Sequence, residues 1–103
     1  MSYRIMVRSR PRKEDREAFE KAFEQVSTSV QGTPGHVRDE LLRDVEDESL
    51  YLLFAEWESE EAFRAWEDDP RHLEMAAPML PYVRDSTEER RIFNVRVRVD
   101  SGV

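Results

Sequence analysis

Tyr3, Ile5 and Val7 fall on one side of an extended chain and Arg4, Met6 and Arg8 on the other. This period of two predicts a first strand over Tyr3–Ser9, which Pro11 then interrupts. From Lys13 the period changes. Phe19, Phe23, Val26 and Val30 recur at helical spacing opposite a charged face, so a helix is expected. Gln31-Gly32-Thr33-Pro34-Gly35 ends it, because Gly32 suits a helix cap and Pro34 bars continuation. His36 to Arg43 reads as a second strand and Asp44 to Ser49 as an acidic turn. Leu50 to Trp57 is the clearest strand, with Leu50, Leu52 and Phe54 on one face and Tyr51, Leu53, Ala55 and Trp57 on the other. A strand apolar on both faces must be covered on both. One helical layer covers one side, and a second copy of the chain is the simplest cover for the other.

Ser59 is a candidate N-cap for a helix reaching about Asp68, with Phe63 and Trp66 on its inner stripe and Ala62 beside them. Asp69-Pro70 pairs an N-cap residue with proline at a first helical position, which predicts a short helix from Pro70 to Ala77. Pro78 and Pro81 then imply an irregular segment through Arg84. Arg91 to Val99 is expected as the last strand, with Phe93, Val95, Val97 and Val99 on one face and Asn94, Arg96 and Arg98 on the other. The order βαββαβ closes most simply on the split βαβ plan, an α+β ferredoxin-like sheet with both helices on one face. First and last strands are then neighbours. That gathers Arg4, Arg8, Arg96 and Arg98, either as a salt-bridged strand face or as a basic patch for an acidic substrate.

Composition narrows the function. At 103 residues the chain makes one domain, 1–103, and 10% aromatics argue against disorder. Charged residues (38%) nearly match hydrophobic ones (39%), so dimerisation is a natural way to bury more surface. A net charge of −7 disfavours nucleic acid and anionic membranes as partners. No stretch is long enough to span a bilayer and no signal peptide is evident, so a cytoplasmic protein is expected. Without cysteine, thiolate metal sites and cysteine nucleophiles are excluded. His36 and His72 are the only histidines, and no carboxylate spacing around them reads as a metal site.

Three segments carry a family resemblance: Gly35 to Leu42; Tyr51-Leu52-Leu53-Phe54-Ala55-Glu56-Trp57 with Ser59-Glu60-Glu61-Ala62-Phe63; and Trp66-Glu67-Asp68-Asp69-Pro70-Arg71-His72. Together they resemble the antibiotic biosynthesis monooxygenase family. His72-Leu73-Glu74 through Leu80-Pro81-Tyr82 looks most like members associated with aromatic polyketide biosynthesis. The resemblance implies a homodimeric α+β barrel, its last strand exchanged or packed across the dimer, with a pocket in each protomer between helices and sheet. It also implies a small aromatic substrate. Some relatives oxidise anthrone-like phenols to quinones with O2 as co-substrate and no metal, flavin or haem. Others degrade haem.

Such a reaction asks the protein to hold flat rings, help remove a proton and stabilise the resulting anion. The resemblance places Trp66 as a pocket tryptophan; a core anchor on the helix is its plain alternative. A neutral histidine at the start of a helix can accept a proton, which makes His72 the candidate base, with first-turn packing as the alternative. Phe63, Met75, Met79 and Tyr82 are candidate walls, Arg84 a candidate partner for an anionic oxygen, and His36 a further binding candidate at the second strand's start. Two departures matter. Ala62 stands where some quinone-forming relatives carry asparagine, and Met75-Ala76-Ala77 lacks the ligand histidine of haem degraders. The main expectation is a cofactor-free monooxygenase. A non-oxidative cyclase or aromatase helper and a non-catalytic binding dimer are the alternatives.

Overall fold

The computed structural model describes residues 2–83 and 90–102. Strands β1 (Tyr3–Ser9), β2 (His36–Arg43), β3 (Tyr51–Trp57) and β4 (Arg90–Asn94) form one antiparallel sheet in the order β2-β3-β1-β4. Helix α1 (Arg16–Val30) follows a 3-10 turn at Lys13–Asp15, and α2 (Glu60–Glu67) follows β3. This is the ferredoxin-like α+β fold expected from the alternating pattern. Ser59 caps α2 as expected, its hydroxyl accepting a hydrogen bond from the Ala62 N–H at 3.1 Å.

Three boundaries differ from the sequence reading. The helix expected from Pro70 begins later, as α3 (His72–Ala76), with Arg71 at its N-cap. Asp69 instead stabilises the preceding turn: its carboxylate accepts the Arg71 N–H at 2.8 Å, and its carbonyl accepts the His72 N–H at 2.9 Å. The chain after Pro78 is not irregular. It continues through a 3-10 turn, Ala77–Met79, into α4 (Leu80–Val83). Each proline sits in the first turn of its segment, where no helical N–H is lost.

β4 stops at Asn94 rather than Val99. The register explains this: Tyr3 pairs with Asn94, and the last bond is Val95 N–H to the Ser2 carbonyl at 3.0 Å. Among the described residues the alternating run beyond has no partner strand. Val97 and Val99 are 82% and 87% exposed.

The helix-covered face holds two apolar clusters. Tyr3, Ile5, Val30, Trp57 and Phe63 form one; Phe19, Ala22, Tyr51 and Met79 form the other. Val26 of α1 packs against both. Among the described residues no helix covers the opposite face. Met6, Leu52 and Phe54 lie half-buried there, and Phe93, paired opposite Arg4, is 46% exposed. At its centre the buried Glu56 carboxylate draws in Arg4 (3.6 Å), Arg38 (3.5 Å) and Arg98 (4.0 Å). Of the four arginines anticipated on this face, Arg4 and Arg98 therefore join an ion-paired cluster around Glu56, together with Arg38 of β2.

Candidate functional site

The gap between the two clusters is a cavity of about 290 Å³. Its floor is Ile5, Val7, Leu53 and Ala55 of the sheet, and its roof comes from α1, α2 and the α3 region. Phe63, Trp66, His72 and Met79 line it together, so four of the side chains expected at a site converge. Phe63 and Met79 are also buried core residues.

His72 packs against Trp66 with the two rings tilted by 40° and their centroids 4.1 Å apart. Its Nδ1 is 3.1 Å from the Glu67 carbonyl. A carbonyl only accepts, so Nδ1 carries the proton, and in the neutral ring Nε2 is left with the lone pair. The anchor is itself fixed, because the Glu67 carboxylate pairs with Arg64 and Arg90, each at 2.9 Å. Burial works to raise the pKa of Glu67, but the two arginines outweigh it and hold it below the ordinary value. Trp66 Nε1 is buried and has no hydrogen-bond partner among the described residues. A buried indole donor without a partner is costly unless a ligand satisfies it.

The other candidates lie elsewhere. Tyr82 packs edge-on against Phe19, 6.1 Å between centroids, in the second cluster rather than along the cavity. Met75 is half-buried in α3 but is not part of the cavity wall. Arg84 falls outside the described residues. His36 does not touch the cavity. It packs edge-on against Trp57, and its Nε2 donates to Asp39 Oδ1 at 2.8 Å.

Asp39 does line the cavity and is the residue the sequence reading missed. Strict alternation puts His36 and Asp39 on opposite faces. A bulge between His36 and Arg38 inserts one residue and turns both toward the helices. The available signal was a carboxylate two residues before the inward Leu41, on the core-facing phase.

The described part of the wall does not suit haem: among the described residues it holds no lysine or arginine to pair with propionates, and the one charged side chain there, Asp39, would repel them. α3 contributes His72 and Ala76 to the wall. Among the described residues no group of three histidine, aspartate or glutamate side chains could hold a metal ion, and no helix is long and apolar enough to cross a membrane.

The family model described as antibiotic biosynthesis monooxygenase matches residues 2–78. Protein SchA of Streptomyces halstedii is 41% identical over 69 residues, covering 67% of this chain. The chain spans only 18% of the length of SchA. A mycobilin-producing heme oxygenase of Mycobacterium tuberculosis is 41% identical over 52 residues, half of each protein. Among solved structures, SnoaB, a cofactor-independent oxygenase from Streptomyces nogalater, superposes with a TM-score of 0.79 at 26% identity, covering 95% of this chain and 96% of that one.

Proposed function

The chain belongs to the antibiotic biosynthesis monooxygenase family, and from that premise we propose that it is a cofactor-independent monooxygenase converting an anthrone-type aromatic polyketide to a quinone with O2. The observation that carries this reading is the apolar cavity with an oriented histidine and an unsatisfied indole N–H on its wall.

An anthrone supplies its own electrons. His72 Nε2 takes the benzylic proton, and Trp66 Nε1–H donates to the oxygen that becomes negative. The anion passes one electron to O2, and the carbon radical and superoxide combine. Proton return gives a hydroperoxide, which loses water to leave the quinone. One O2 enters for each anthrone, one oxygen atom stays in the quinone and the other leaves as water. Phe63 and Met79 flank the rings and exclude water.

The working unit is a homodimer. Met6, Leu52, Phe54 and Phe93 lie on the sheet face that carries no helix, and the unpaired Val97 and Val99 follow beyond it. A second copy covers this face and gives the last segment strand partners.

Oxygen uptake by metal-free protein with anthrone-type substrates tests the reaction. Product formation that persists without O2 would instead establish a cyclase. The absence of a side-chain amide at Ala62 is the observation that keeps that second reading in play.

A further inference from the structure

Outside the cavity an open groove of about 820 Å³ runs between α1 and the edge strand β2. Phe23 and Ser27 of α1 and Asp39 of β2 line both voids, so they stand between cavity and groove. A doorway at these three side chains would have a definite chemistry. Ser27 Oγ is buried and has no hydrogen-bond partner among the described residues. The Asp39 side chain is 13% exposed and that of His36 8%, so their 2.8 Å pair is sheltered from water. His36 takes one acceptor position of the carboxylate, which has about four, and this leaves capacity for a donor arriving along the doorway.

Size makes the doorway matter. A cavity of about 290 Å³ stands at the low end of the roughly 300–1,000 Å³ typical of small-molecule sites. A flat ligand larger than the cavity would find polar side chains at the boundary with the groove, Ser27 and Asp39. We infer that the ligand extends through this doorway into the groove, and that Asp39, held by His36, accepts a hydrogen bond from a phenolic hydroxyl on its outer end, with Ser27 as a second polar contact. This rests on the cavity taking an aromatic ligand but not on the oxygen chemistry.

The test is binding, read by quenching of Trp57 and Trp66, the chain's two tryptophans. The probes are a polyhydroxylated anthraquinone and its fully O-methylated ether. Wild-type protein is expected to prefer the hydroxylated probe. Asp39→Asn should lower that preference about tenfold, because a hydrogen bond to a charged acceptor is lost, and leave the ether's affinity unchanged. A second measurement keeps Asp39 intact. The chain has no cysteine, so Thr28→Cys places a single thiol at an exposed position on the groove. Saturating hydroxylated probe should slow its alkylation several-fold. An undiminished preference in Asp39→Asn, or alkylation indifferent to bound probe, overturns the doorway and leaves the oxygenase reading standing. Quenching by neither probe in wild type overturns both the doorway and the ligand cavity. Normal quenching without oxygen uptake overturns only the oxygenase.

Discussion

At the scale of single residues, backbone geometry constrains the site more tightly than side-chain chemistry does. Gly35 has φ +84° at the turn into β2, and its carbonyl accepts the Glu58 N–H at 2.8 Å. A methyl group added there would overlap the Ala62 Cβ. Gly35→Ala combines a left-handed backbone with a collision against α2, and should cost about 2 kcal/mol or more of stability, measured by urea unfolding. A loss within about 0.5 kcal/mol would show that the turn relaxes without strain. The same contact accounts for a small residue at position 62, whose Cβ packs against Gly35 and whose side chain is part of the first apolar cluster rather than the cavity wall. Trp66, His72, Phe63 and Met79 were legible from helical spacing and the family resemblance. Asp39 was not, because an inserted bulge residue shifts the phase of a strand without any mark in its hydrophobic pattern.

At the scale of elements, the turn between α2 and α3 positions His72, the proposed base. Asp69 accepts the Arg71 side chain at 3.0 Å and its backbone N–H at 2.8 Å. These bonds, the side-chain one foremost, lower its pKa from the ordinary 3.8 to about 2. Folding therefore favours the ionised carboxylate. The stabilisation is present above the unfolded value of 3.8 and is lost as pH falls through about 2. The urea midpoint of wild type should exceed that of Asp69→Asn at pH 5, and the difference should shrink between pH 4 and 2. A difference that does not change with pH would dissociate Asp69 from the turn. The end of β4 illustrates the limit of local reading. Phe93, Val95, Val97 and Val99 alternate as a strand should, but whether a strand forms depends on a partner, and the last described bond to β1's side is Val95 N–H to the Ser2 carbonyl.

At the scale of the whole molecule, one side of the sheet is packed by helices and the other is held by the Glu56 ion cluster amid apolar side chains. The two-sided apolar character of β3 already called for a second cover, and the fold places that need on the helix-free face. Sedimentation should therefore give a dimer, and Phe54→Asp should shift it toward monomer. A wild-type monomer at micromolar concentration would remove the second copy from the account. The central claim is that the cavity performs cofactor-free oxygenation with His72 as its base. Its most direct test is oxygen consumption by metal-free protein with an anthrone substrate, with His72→Ala measured in parallel. Protein-dependent uptake that falls about a hundredfold or more in a folded His72→Ala variant is the predicted result. No uptake by wild type, or uptake undiminished in the variant, would contradict it.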